Sequence, residues 1–75
     1  MVNIRFQIGQ RIKELREKAD MSQKDLAYSA DLDRSYIASV ESGQRNVSIV
    51  NIEKIAKALN VTVKEFFYDA RFNNN

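Results

Sequence analysis

The sequence predicts an all-α domain of five short helices. Apolar residues recur at spacings of three and four with no strand-like alternation, side chains suited to capping stand before the apolar runs, and the chain holds two Gly and no Pro. At 75 residues it has room for a single domain, expected over residues 1–72, with a tail at 73–75 expected to be disordered.

The first helix is expected from about Asn3 to Ala19, where Ile4, Ile8, Ile12 and Leu15 form an apolar stripe among charged residues. Gly9 weakens it by about 1 kcal/mol relative to Ala, so either its start is frayed or the Gly serves a close helix approach. Ser22, with Asp25 three residues later, opens a second helix, Gln23 to Ala30, that buries Leu26, Ala27 and Ala30. Asp31 and Leu32 break it, and Asp33 is an N-cap for a third helix carrying Ile37 and Val40 and ending at Gly43. Ser48 caps a fourth helix whose apolar face is Ile52, Ile55, Ala56 and Leu59, with Asn60 as a left-handed terminator. Thr62 and Glu65 form a capping box for a fifth helix with Val63, Phe66 and Phe67, in which Phe66 is expected to plug the core together with Val63.

Composition narrows the function. With no Cys and no His, disulfides, the common zinc sites, thiol nucleophiles and imidazole acid-base catalysis are excluded, and the chain is not expected to be an enzyme or to need a cofactor or metal. No apolar run can span a bilayer, so no membrane association is expected and the cytoplasm is the default location. Net charge is only +2, so any affinity for nucleic acid must come from local clustering of charge.

Helices two and three, each of about eight residues and joined by a three-residue corner, have the layout of a helix-turn-helix. The residues in that layout, SQKDLAYSADLDRSYIASVESG, closely resemble the phage-repressor family that includes the lambda and Cro repressors. IGQRIKELRE before them and VSIVNIEKIAKALNVTVKEFF after them extend the resemblance over nearly the whole chain. Within the family, LDRSYIASVESGQRN is most like the controller proteins of restriction-modification systems. At the corner, Ala27 is small enough for two crossing axes to approach, Asp31 tolerates a left-handed backbone, and Leu32 tucks onto the core.

The resemblance implies that the third helix enters the major groove of double-stranded operator DNA. Arg34, Ser35 and Tyr36 would form its first turn and Ser39 would lie one turn on, making them the candidate base readers, with Arg45 in the following loop. Arg34 can donate two parallel hydrogen bonds to guanine, or else clamp a phosphate or pair with Asp31 or Asp33. Tyr36 either meets sugar, a thymine methyl or a deformable step, or packs beside the first helix. Gln23 and Ser22 at the start of the second helix, and Asn46 and Ser48 before the fourth, are candidate phosphate contacts, with capping as the alternative for the helix-start residues.

The resemblance also implies an ion pair between Arg16 and Glu41 that orients the recognition helix without touching DNA. Phe66, Phe67, Tyr68 and Phe72 are more aromatic surface than a five-residue helix is expected to bury. Phe67 and Tyr68, with Val50, are therefore candidates for a homodimer interface that would place two recognition helices about 34 Å apart over a palindrome. RNA polymerase is an additional candidate partner through acidic residues near Asp31. The resulting expectation is a dimeric transcriptional regulator, first of all a restriction-modification controller, with a phage-type repressor, a DNA-binding antitoxin or a protein-docking module as alternatives.

Overall fold

The computed structural model describes residues 3–73, which form α1 (Ile4–Lys18), α2 (Gln23–Ala30), α3 (Arg34–Glu41), α4 (Ile49–Ala58), α5 (Val63–Phe67) and a 3-10 turn at Ala70–Phe72. Of the tail expected to be disordered, Asn74 and Asn75 lie outside the described residues, as do Met1 and Val2 at the other end.

The helix boundaries follow from local chemistry. Asn3, Ser22, Ser48 and Thr62 each accept a hydrogen bond from a backbone N–H of the first turn, and Ser22–Asp25 and Thr62–Glu65 close complete capping boxes. Asp33 occupies the N-cap position of α3, but its side chain makes no capping hydrogen bond, so only its extended backbone matches the sequence expectation. At the other ends, Asp20, Asp31, Gly43 and Asn60 turn left-handed, with φ between 58° and 79°. Each reversal lets the following N–H reach back to close its helix: Met21 N to Arg16 O at 3.0 Å, Leu32 N to Ala27 O at 2.9 Å, Gln44 N to Ser39 O at 3.0 Å and Val61 N to Ala56 O at 2.9 Å.

The helices enclose one core centred on Ile12, Leu26, Ile37, Val40, Ile55 and Phe66, all essentially without exposed surface. In it α3 packs against both α1 and α2, while α4 packs against α2 and α5. Gly9 serves the close approach: a Cβ there would overlap Val40 O and stand 2.5 Å from Glu41 O, so the last turn of α3 rests directly on the α1 backbone. Ala27 is likewise buried where α2 meets its neighbours, and Leu32 is half-buried against the core.

Two expectations for the C-terminal segment need correction. Val63 is 37% exposed and does not join Phe66 in the core, because it is the first residue of a helix too short for an i, i+3 spacing to define a face. The aromatic surplus is also smaller than expected. The 3-10 turn folds Phe72 back so that its ring lies 6.5 Å from Phe66 and 5.1 Å from Phe67, and Phe66 and Phe67 meet edge to face at 5.0 Å. Tyr68 alone of the four stays exposed.

A polar clamp holds this segment to α1. Buried Arg11 donates through Nε to Phe66 O (2.7 Å) and through Nη2 to Glu65 O (2.9 Å), holding two carbonyls of the last turn of α5. Its Nη1 meets Glu14 at 3.0 Å and Asp69 at 3.4 Å, while Arg71 bridges the same two carboxylates at 3.0 Å and 2.6 Å. Gln7 Nε2 adds a bond to Arg71 O at 2.6 Å.

Gly9→Ala is expected to destabilise the domain by about 1–3 kcal/mol despite the better helix propensity of Ala, because the atoms in its way are backbone carbonyls. A thermal melt checks this, and an unchanged or raised midpoint would show that α3 can move aside.

The clamp also predicts an acid dependence. Burial pushes the Glu14 carboxyl up, but hydrogen bonds from Arg11 and Arg71 and the charges of Arg71 and Lys18 outweigh it and hold the group below its ordinary 4.5. Hydrogen bonds from the Arg71 backbone and side chain hold Asp69 below 3.8. Groups depressed in the folded state stabilise it above their unfolded values, and that contribution is lost as pH falls through the folded ones. Stability measured by denaturant titration should therefore fall from about pH 5 toward pH 3, and more shallowly in a Glu14→Gln, Asp69→Asn double variant. Equal slopes in the two proteins would remove the clamp as a cause.

Candidate nucleic-acid interface

The end of α3 is held in place by a node of three side chains from three helices. The Arg16 guanidinium in α1 donates Nε to Glu41 Oε2 at 2.7 Å and Nη2 to Glu41 Oε1 at 3.1 Å, a bidentate pair at the last residue of α3. Its remaining arm, Nη1, donates to Met21 O at 2.8 Å and so grips the turn leading into α2. Gln23, the first residue of α2, donates Nε2 to Glu41 Oε1 at 3.1 Å. Only 5% of the Glu41 side chain and 11% of the Arg16 side chain is exposed, so the carboxylate is desolvated and fully occupied inside the fold. The hydrogen bond from Arg16 to Glu41 raises the guanidinium above its already high ordinary value.

This placement agrees with the Arg16–Glu41 pair implied by the resemblance and gives Gln23 a role absent from the sequence reading. Instead of capping its own helix, the Gln23 side chain faces Glu41, while Ser22 supplies the cap.

From this anchored base, α3 presents its first turn outward. Arg34 and Ser35 are exposed, and among the described residues neither side chain makes a hydrogen bond or ion pair, so Arg34 pairs with neither Asp31 nor Asp33. Ser39 lies one turn along from Ser35 and is half-buried. Tyr36 is also half-buried, but it packs toward α4 and the α3–α4 loop and not beside α1. Its hydroxyl accepts from Asn51 Nδ2 at 2.9 Å, and the guanidinium of Arg45 sits 5.2 Å from its ring centroid. This grouping brings together two sequence-predicted residues, Tyr36 and Arg45, and one that the sequence reading missed, Asn51.

Ser22 and Ser48 lie exposed at the starts of α2 and α4, where their oxygens accept from the N–H of Asp25 and Asn51 at 3.0 and 3.1 Å. The Ser48 hydroxyl proton is left to donate, so capping and phosphate contact are compatible there, whereas the Ser22 hydroxyl also faces the Asp25 carboxylate. Asn46 is exposed in the loop beside Arg45.

The residues suggested for a two-fold contact divide. Val50 and Tyr68 are 59% and 82% exposed, whereas Phe67 is half-buried between Phe66 and Phe72. Ile49, beside Val50 at the start of α4, is 67% exposed and was not among the residues suggested from sequence. No helix among the described residues is long and apolar enough to cross a membrane.

Glu41→Ala should take the carboxylate from the largely desolvated Arg16 fork and from Gln23, leaving Arg16 only its bond to Met21 O, and cost about 3–5 kcal/mol of stability. A denaturant titration measures this, and a loss below about 1 kcal/mol would mean that the node behaves as an ordinary surface pair.

Residues 12–66 match the helix-turn-helix family. The control protein C.MunI of a Mycoplasma species is 49% identical over 70 residues, covering 92% of this chain and 95% of that protein. Among solved structures, the restriction-modification controller protein C.AhdI from Aeromonas hydrophila superposes with a TM-score of 0.84 at 48% identity, over 88% of this chain and 100% of that one. The controller protein C.Esp1396I, solved as a tetramer in complex with its natural 35 base-pair operator, superposes with a TM-score of 0.83 at 37% identity, over 89% and 88% of the two chains. The bidentate node under α3, the outward Arg34 turn and these likenesses together place the chain in the helix-turn-helix family, among the controller proteins of restriction-modification systems.

Proposed function

We propose that this chain is a sequence-specific transcriptional regulator that binds palindromic operators as a homodimer in the cytoplasm and controls a restriction-modification operon. The observation that carries the reading is the contrast along α3. Its last residue is locked by three side-chain hydrogen bonds, whereas Arg34 and Ser35 in its first turn point outward with no side-chain partner among the described residues. Arg34 would read guanine through a bidentate bond, Ser35 and Ser39 would allow close approach, and Tyr36 and Arg45 would extend the contact. Ser22, Gln23, Asn46 and Ser48 would hold phosphates, with Gln23 doing so from its bond to Glu41. The C.Esp1396I–operator complex supports DNA as the ligand. Mutants of that protein have also been solved with replacements at a consecutive arginine, threonine and tyrosine, the chemical order of Arg34, Ser35 and Tyr36 here.

The dimer would form through exposed Val50 and Tyr68, with Ile49 next to Val50 and the half-buried Phe67 contributing what surface it leaves free. RNA polymerase is a second proposed partner, at the exposed corner around Asp31. No step in this reading calls for a cofactor or for catalysis.

Selection of bound duplexes from a random-sequence DNA pool tests the reading directly. It should return a palindrome with half-site centres about 10 base pairs apart, bound with an affinity that falls steeply with salt. Arg34→Ala should weaken binding by about 5- to 150-fold and relax one position per half-site. Recovery of no common sequence, or binding indifferent to both salt and Arg34, would favour a protein-docking module.

A further inference from the structure

The contact between Asn51 and Tyr36 crosses the loop that carries Arg45. Asn51 is the third residue of α4, and its backbone N–H is fixed by the Ser48 cap at 3.1 Å. Its side-chain amide donates to the Tyr36 hydroxyl at 2.9 Å, and the Arg45 guanidinium lies 5.2 Å from the Tyr36 ring centroid. The ring is thus pinned at its polar end by α4 and carries a cation from the loop between α3 and α4. Arg45, exposed and without a carboxylate partner among the described residues, would otherwise sample many rotamers, and an attractive ring face restricts them.

We propose that Asn51 is a positioning residue for operator recognition: by holding the Tyr36 hydroxyl it fixes the ring that pre-orients Arg45 toward DNA. The proposal rests on the operator-binding reading above and adds to it a residue that need not touch DNA. Ordering Arg45 before association lowers the entropy that binding must otherwise overcome.

The test is a double-mutant cycle on the full chain, using the duplex recovered from the random pool as probe. Asn51→Ala should weaken binding about two- to fivefold, the range of an exposed cation–π contact. The same substitution should have almost no effect in an Arg45→Ala background. Tyr36→Phe keeps the ring but lacks the hydroxyl, so it should match Asn51→Ala, and combining the two should add nothing. A second selection with Asn51→Ala should show relaxed preference at the same positions as Arg45→Ala. A full, additive loss from Asn51→Ala without Arg45 would overturn the proposal in favour of a direct contact, as would normal affinity in both Asn51→Ala and Tyr36→Phe. Melting curves separate a folding defect, and if Asn51→Ala lowers the midpoint, Tyr36→Phe carries the cycle with Arg45→Ala. Failure of the operator reading is distinct, since wild-type protein would then enrich no sequence.

Discussion

Glu41 is the constraint on which the geometry depends. One buried carboxylate takes hydrogen bonds from Arg16 in α1 and Gln23 in α2 while standing at the end of α3, so a single group fixes three helix directions. The backbone beneath it is equally constrained, because Gly9 allows the carbonyls of Val40 and Glu41 to lie on α1. Removing water from an ion pair is costly, and a well-packed apolar trio could stabilise the same volume as well. What the ionic node provides instead is direction, since the planar guanidinium accepts its partner in one orientation and grips Met21 O with its free arm.

The far side of the molecule uses the same chemistry for a different end. α5 has five residues, too few to be stable as an isolated helix, and the 3-10 turn beyond it is shorter still. Arg11 supplies hydrogen bonds that the end of α5 lacks, and Arg71, Asp69 and Glu14 tie the following turn to α1. The Phe66, Phe67 and Phe72 rings meet in one cluster beside it, two contacts edge to face and one stacked. Tyr68, between Phe67 and Asp69 in sequence, keeps its side chain exposed.

The split between what was and was not legible in the sequence follows the range of the interactions. Helix starts at Ser22, Ser48 and Thr62, and the left-handed ends at Asp31, Gly43 and Asn60, are decided within a few residues, so their side chains announce them. Asp33 was found from the same local pattern, but its backbone alone does the work. Val63 misled because a helix of one and a half turns has no fixed face. The Arg11 clamp joins residues 55 apart, and Asn51 meets Tyr36 across 15, with no periodicity to reveal either. Glu41 was identified only through resemblance, since a lone Glu near a helix end reads as a solvated charge. Most of the candidate interface was visible as residue types in a motif, while the support beneath Tyr36 and Arg45 needed coordinates.

The division of labour along α3 has a consequence for how such a protein can change. Arg34 and Ser35 contribute no side-chain hydrogen bond or ion pair to the fold among the described residues, whereas Glu41, seven and six positions on, carries the node. On the proposed reading, the address and the frame would therefore be written in separate residues of one eight-residue helix. Substitutions at the proposed address would then accumulate with little penalty in folding, and a lineage of regulators could move from one DNA sequence to another on an unaltered scaffold. Tyr36 is the exception, tied to α4 through Asn51, and so is the position where a change of target must also be reconciled with the architecture.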